Sequence, residues 1–405
     1  MTLPAPSHCC DPARVNPKLV TPAEAVRLIL TALFSAGIEE LPLAACLGRV
    51  LRDSLLADRP QPPYRRATMD GIALSSATSR GSWRIAGLHA AGDPPPRPLT
   101  AGEAWEIMTG AVVPDDCDCL IPYEEISISN GLATSDAALH PGRCIHAAGS
   151  DAPAGARLAA SGTTIGPVEI AIAASVGRDH LPVSARPVIS ILTTGDEAVP
   201  VTATPQAWQI RRSNGVMLEA TLRRAGYTDI RLDHVPDDPA ALDTAFDRTL
   251  VAGGVVILCG GISRGKRDHV RETVETRLGP PAFHGISQRP GKPMAFWPGR
   301  DTPVFALPGN PLSVLATFTR YVMPALRKIE GASPLSLRLP LAAAVEPLPH
   351  LTWLLPARLE NGAAHRLPPQ NSGDFISVAG TTHLLEIPAG STMLQSGDLV
   401  RAFHL

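Results

Sequence analysis

Between Pro187 and Glu330 short apolar runs alternate with segments of helical period, and that alternation admits few folds. Val188 to Thr193, Ile230 to Val235 and Val255 to Cys259 read as buried strands, with no polar face of their own. Asn214 to Arg224, closed by Gly226, and Pro239 to Val251, capped by Asp238, carry the start and stop signals of helices. A helix from His269 to Arg277, strands at Met294 to Trp297 and Val304 to Leu307, and a long helix reaching Glu330 complete the series. Strands separated by helices pair in parallel with helices on both faces, so the expected centre is a doubly wound, mostly parallel α/β domain. In such a sheet ligands bind beyond the carboxyl ends of the strands.

The flanking segments read differently. Thr21-Pro22-Ala23-Glu24 supplies an N-cap, a proline at the first helical position and a capping-box glutamate, followed by Val26, Ile29, Leu30, Leu33 and Phe34 at helical spacing; the predicted helix ends near Gly37. From Gly48 to Ile145 the runs are short and broken by Gly and Pro, as at Trp83 to Ala86, Ala104 to Met108 and Cys119 to Pro122, which suits a small β domain. Val168 to Val176 reads as a helix. Beyond Ser333, Trp353 to Leu359, His383 to Pro388 and Asp398 to Phe403 predict a C-terminal β-barrel-like domain. The predicted division is residues 1–45 with 140–182 as a discontinuous N-terminal domain, 46–139 as the inserted β domain, 183–331 as the α/β domain and 332–405 as the C-terminal domain.

Composition narrows the function. Lys and Arg number 36 against 38 Asp and Glu, a net charge of -2, so no global basic field points to nucleic acid or an anionic membrane. No run approaches the ~18 apolar residues of a membrane span, and the proline-broken N-terminus lacks a signal-peptide core, so a cytoplasmic protein is expected. Seven cysteines without a C-x-x-C pair indicate neither a disulfide framework nor a zinc knuckle. His8-Cys9-Cys10 is read as a frayed terminus rather than a metal site.

Any anion site must therefore be local, and the rim of the predicted sheet supplies one. The segments following strands are Thr193-Thr194-Gly195-Asp196-Glu197, Pro236-Asp237-Asp238, Gly260 to Asp268, and Leu307-Pro308-Gly309-Asn310-Pro311. They bring glycines, whose amides can approach a phosphate, together with acids able to hold Mg²⁺ or position water. Arg289-Pro290-Gly291-Lys292-Pro293 sets two cations on a stiff bend, and Asn310 and Ser313 open an apolar helical stretch; both segments suit a small oxyanion. Gly260 to Lys266 matches G-x-x-x-x-G-K, but Arg267 stands where a P-loop needs Ser or Thr for Mg²⁺, and no G-x-G-x-x-G is present there. Glu197 and Asp268 read equally well as helix-terminal acids.

In order and spacing, Thr194-Gly195-Asp196-Glu197, Gly260-Gly261-Ile262-Ser263 with Gly265 and Asp268, Pro290-Gly291-Lys292-Pro293, and Leu307 to Pro311 with Ser313 resemble the molybdopterin molybdenumtransferase family, which includes MoeA and the gephyrin E domain. Ala67-Thr68-Met69-Asp70-Gly71 and Ile107-Met108-Thr109-Gly110-Ala111 are similar to two further blocks of that family. The resemblance covers residues from about 20 to 400. It implies a homodimer of four modules per subunit, in which a β domain of one subunit completes the cleft of the other. It also implies insertion of molybdate into adenylylated molybdopterin, with Mg²⁺ and release of AMP. Carried over by motif, Arg289, Lys292, Pro293 and Ser313 surround molybdate. Gly195, Gly261, Ser263, Asn214, Pro308, Asn310 and Asp70 hold the pterin nucleotide, Asp268 and Glu197 its metal, and Asp268, Glu197 and Thr109 are the catalytic set. A molybdopterin adenylyltransferase upstream and a molybdoenzyme downstream are the implied protein partners.

Two departures stand out. The family has Asp-Asn where Arg65-Arg66 stand, and Arg211-Arg212-Ser213-Asn214 replaces a pattern ending in Asp-Thr-Asn or Asp-Ser-Asn. A guanidinium binds phosphate directly and cannot ligate Mg²⁺, so Arg65 and Arg212 join the expected nucleotide-binding residues. They leave two readings open: an insertase with an altered acid set, or a paralogue that binds or carries molybdopterin or finished cofactor without cleaving the adenylate. A gephyrin-type scaffold is disfavoured, since no long linker or tail is present.

Overall fold

The computed structural model describes residues 19–79, 81–262, 269–334, 337–390 and 392–405. The chain divides into two compact units, residues up to Glu39 with Ser184–Leu405, and Glu40–Val183.

In the first unit the alternation read from sequence becomes one six-stranded sheet, ordered Ile230–Val235, Ile189–Thr194, Val255–Cys259, Val304–Leu307, Ala295–Trp297 and Phe283–His284. The first four strands are parallel and the last two antiparallel. Successive side chains point to opposite faces, so each strand feeds two cores. Ile189, Ile191, Val255, Ile257, Phe305 and Leu307 pack with Leu218 and Leu222 of the Asn214–Arg224 helix, with Val314, Phe318 and Leu326, and with Ala25 and Ile29. On the other face Leu192, Val256, Leu258 and Ala306 meet Leu242 and Phe246 of the Pro239–Ala252 helix and Val270 and Val274 of the Val270–Leu278 helix. Burial on both faces is why these strands show no polar alternation.

Caps behave as their chemistry requires. The Asp238 carboxylate accepts from the Ala241 amide at 2.8 Å, and the Thr21 hydroxyl from the Glu24 amide at 3.2 Å. The helix beginning at Pro22 stops at Thr31, earlier than the apolar spacing through Phe34 predicts. Leu33 and Phe34 still lie against the core, from non-helical backbone. The long C-terminal helix is not uniform either. Pro311–Thr317 is α-helical, Phe318–Val322 a π-helical turn, and Met323–Ile329 α-helical again.

The remaining strands of this unit form a second sheet, ordered Gln288–Arg289, Thr352–Glu360, His383–Ile387, Leu399–His404 and Leu337–Pro340, with Ala363–Arg366 also on Thr352–Glu360. It curls, so that Leu341 bridges Ala364. Gln288 and Arg289 pair with Thr352 and Trp353, which ties the first turn of the Arg-Pro-Gly-Lys bend to this sheet.

The second unit holds a six-stranded sheet ordered Cys119–Pro122, Gly71–Leu74, Glu103–Ile107, Gly81–His89, Leu132–Ser135 and Ser127–Ser129, with Trp105 in the core on one face and Trp83 on the other. Its Pro167–Ser175 helix packs Ala173 against Leu51, Leu181 and Val183. Among the described residues, no helix is long and apolar enough to cross a membrane.

Candidate functional site

Parallel registry determines what meets at the rim of the central sheet. Thr194 is paired with Val235, Thr193 with Cys259, and Cys259 with Leu307, so the loops that leave these strands emerge side by side. They enclose a cleft of about 440 Å³. Gly195, Glu197, Arg212, Asn214, Gly261, Pro293, Pro308 and Asn310, all expected from sequence, line it. Gly260 and Gly261 adopt φ of 97° and 62°, and a Cβ on Gly260 would stand 2.9 Å from Thr194 Oγ1. The backbone there passes too close to its neighbour for any side chain.

Asn214 begins its helix, and its Nδ2 donates to the Gly309 carbonyl at 2.7 Å, joining two rim loops. Its Oδ1 is buried without a partner among the described residues, an acceptor left for a ligand or water. Arg212 is anchored by Nε to the Ala198 carbonyl at 2.9 Å, and no ion pair joins it to Glu197 or Asp237 among the described residues. Glu197 folds back over Gly195, where an added Cβ would lie 2.8 Å from its Oε2. Cys259 also lines the cleft, but burial pushes its thiol up to about 12, so it stays protonated and is no nucleophile.

His234 is a cleft residue that motif reading missed, although its place one residue before the end of a rim strand marks it. Its Nδ1 lies 2.8 Å from Thr193 Oγ1 and its Nε2 3.2 Å from the Gly195 carbonyl. Burial, reinforced by the charge of Arg212, holds its imidazole below the ordinary value. The unfolded chain takes up this proton near pH ~6.5 whereas the folded chain resists it, so the contribution to stability is present above that value and is lost as pH falls through it. Melting temperatures at pH 8 and pH 5.5 should therefore differ less in His234→Gln than in the wild type, and an unchanged difference would rule the coupling out.

The two segments expected from sequence to bind an oxyanion converge. A Cβ on Gly291 would lie 2.4 Å from Thr317 Cγ2 and 3.6 Å from the Ser313 carbonyl, so the Arg289–Pro293 bend rests on the helix that Pro311 opens. Pro293 lines the cleft together with Pro308 and Asn310, whereas Arg289, Lys292 and Ser313 are not among its lining residues. Arg289 and Lys292 are exposed, with no ion pair among the described residues, while Ser313 is buried at 3% exposure. Asn310 holds the N-cap position but its side chain makes no capping bond; Nδ2 donates to Ser372 Oγ at 2.9 Å.

The other expected residues lie in the second unit. Thr109 donates from its backbone N–H and its hydroxyl to Asp70 Oδ1, at 2.7 and 2.8 Å, and these bonds, the backbone one foremost, hold the Asp70 carboxyl below its usual range. Arg65 is engaged locally: Nη1 donates to the Cys117 carbonyl at 3.0 Å and Nη2 to the Pro114 carbonyl at 2.9 Å. Arg65→Asp would take the guanidinium from the Cys117 carbonyl, leave the Pro114 carbonyl with only the Cys117 amide at 3.0 Å, and set a second acid near Asp115, so it should cost about 1–3 kcal/mol of stability, read as a lower urea midpoint. Ser263 and Asp268, like Gly265, Lys266, Arg267 and the His8-Cys9-Cys10 group, lie outside the described residues.

A doubly wound sheet whose rim gathers glycine backbone, an amide, an acid and Arg212, which has no ion pair among the described residues, defines an α/β protein of the class whose ligands bind beyond the carboxyl ends of the strands. Residues 20–177 match the family described as MoeA N-terminal region (domain I and II), 190–328 the probable molybdopterin binding domain, and 338–405 the MoeA C-terminal region (domain IV). A molybdopterin molybdenumtransferase of Synechocystis sp. is 33% identical over 395 residues, spanning 94% of this chain and 98% of that protein. Gephyrin of Dictyostelium discoideum is 29% identical across 76% of this chain and 49% of its own length. The crystal structure of a molybdopterin biosynthesis MoeA protein from Pyrococcus horikoshii superposes with a TM-score of 0.77 at 28% identity, covering 96% of this chain and 99% of that one. The chain belongs to the molybdopterin molybdenumtransferase, or MoeA, family.

Proposed function

We propose that this protein acts in molybdenum cofactor biosynthesis as a transferase that inserts molybdate into adenylylated molybdopterin and releases AMP. The observation that carries the reading is the junction of two segments at the edge of one cleft: the Arg289–Pro293 bend, whose Pro293 lines the cleft and whose two cations have no ion pair among the described residues, rests on the helix that follows Pro308 to Pro311. In this reading Arg289 and Lys292 neutralise the dianion, while Ser313 and Pro293 bound its place. Gly195, Gly261, Asn214, Pro308 and Asn310 form the wall against which the pterin nucleotide lies. Asn214 Oδ1 offers an acceptor to a ring N–H, and Arg212, whose Nε is held by the Ala198 carbonyl, offers to a phosphate two terminal guanidinium nitrogens without a hydrogen bond among the described residues.

Mg²⁺ takes oxygen ligands from one or two carboxylates together with substrate phosphates. Glu197 and Asp237, both in the cleft, have that chemistry, and Asp268 is the further acid expected from sequence. When bound, the ion would withdraw charge from the phosphoanhydride. Asp70, Thr109 and Arg65 are assigned to the cleft of the partner in a homodimer. A cytoplasmic location, supply from an adenylyltransferase and delivery to a molybdoenzyme complete the proposal.

Arg212 on the cleft wall favours one alternative, a protein that binds the pterin nucleotide without cleaving it. Incubation with adenylylated molybdopterin, molybdate and Mg²⁺ separates the two. AMP release with formation of cofactor supports the insertase; tight binding of the nucleotide without AMP supports the carrier.

A further inference from the structure

Gln288 is buried at 1% exposure, and its amide uses both of its ends. Nε2 donates to the Pro290 carbonyl at 3.0 Å, and Oε1 accepts from the hydroxyl of Tyr321, itself 1% exposed. We propose that Gln288, oriented by Tyr321, is a positioning residue that fixes the bend carrying Arg289 and Lys292, and so sets the geometry in which those cations meet an oxyanion. The assignment rests on the reading that this bend binds molybdate.

The surroundings leave the bend few alternatives. A Cβ on Gly291 would lie 2.9 Å from Gln288 Nε2 as well as 2.4 Å from Thr317 Cγ2, so the loop lies flat on this amide and on the helix. Tyr321 sits in the π-helical turn Phe318–Val322, where the extra residue changes the direction in which side chains leave the helix. Its ring is braced by Arg320, whose guanidinium lies 5.3 Å from the ring centroid and 4.9 Å from that of Phe403, and whose Nε lies 2.7 Å from Glu386 Oε2. The brace thus runs from the second sheet through the π-helical turn to the oxyanion bend.

The side chain required here must donate to one partner and accept from another without carrying charge into a buried place. Gln does so, Met does neither, and Glu does so only while protonated. Removing the amide deletes neither Arg289 nor Lys292 but strands the Pro290 carbonyl and releases the bend that aims them, so the loss should fall on oxyanion affinity and not on turnover at saturation.

The test is molybdate binding by titration calorimetry, with melting temperatures as a check on folding. Gln288→Met should bind molybdate about tenfold more weakly, equivalent to ~1.4 kcal/mol, with a raised KM for molybdate and unchanged kcat. Gln288→Glu should approach the wild type at low pH, where its buried carboxyl is protonated and donates to Pro290, and fall to the Met level as it ionises. A folded Gln288→Met variant with wild-type affinity, or a Glu variant whose pH profile matches the wild type, would overturn the assignment. Should Gln288→Met fail to fold, Tyr321→Phe removes a single hydroxyl and should still weaken binding by about threefold; unchanged affinity there would overturn it too. A wild-type protein that binds no molybdate would overturn the oxyanion reading itself and this assignment with it, an outcome distinct from variants that bind as the wild type does.

Discussion

Lys292→Ala is expected to raise the molybdate concentration needed for half-maximal insertion by about 10- to 100-fold, since a charge-assisted hydrogen bond contributes ~1.5–3 kcal/mol. Lys292 is exposed and has no ion-pair partner among the described residues, so in the free protein nothing competes for its ammonium. The structural consequences of truncation should be small. The backbone carbonyl of Lys292, which accepts from the Ile286 amide at 2.8 Å, is kept, and so is the Gly291 contact with Thr317. The melting temperature should therefore stay close to that of the wild type while molybdate dependence changes. Lys292→Arg, which keeps the charge and alters its geometry, should lie between the two. Initial rates against molybdate concentration at saturating pterin nucleotide make the measurement, and an unchanged half-saturation point in Lys292→Ala would remove Lys292 from the oxyanion site.

The central sheet was legible because its signals are local. Val255 to Cys259 is apolar at every position, as a strand covered on both faces must be, and Asp238 followed by Pro239 announces a helix in the order that orphan amides require. The rim was legible for a topological reason: once the strands are parallel, the residues after each carboxyl end share an edge, whatever lies between them in sequence. Side-chain partners were not legible. Arg65 finds its acceptors 49 and 52 residues further along the chain, and nothing in Tyr64-Arg65-Arg66 points to them. Its charge and its place in a motif block suggested a phosphate ligand for Arg65; that its guanidinium also holds two backbone carbonyls is seen only in the structure. Gln288 was passed over for the opposite reason: an amide beside a run of cations carries no motif, and its role is visible only once Tyr321 and Pro290 stand on either side. The π-helical turn that presents Tyr321 is likewise invisible in a stretch whose apolar period suits an ordinary helix.

Phe305→Ala is expected to cost about 3–5 kcal/mol of stability, the usual range for emptying a buried aromatic site. Phe305 is fully buried in the middle of Val304–Leu307, its ring centroid 4.9 Å from that of Phe296, which in turn lies 6.1 Å from Phe283. These rings line one face of the sheet where its parallel and antiparallel halves meet, with neighbours held on separate strands, so the cavity could close only if strands moved. The site should register the loss as well as the fold. Val304–Leu307 runs directly into Pro308-Gly309-Asn310, and Ala295–Trp297 follows the Arg289–Pro293 bend within two residues, so both segments of the proposed oxyanion site hang from the strands that Phe305 and Phe296 join. For a unit of this size the melting temperature should fall by about 6–20 °C, and molybdate affinity should weaken well below the transition. Phe305→Leu, which keeps most of the volume, should recover the larger part of both effects. A melting temperature unmoved by Phe305→Ala would show that the ring is not enclosed between the strands, and the paired placement of the two loops would lose its physical basis.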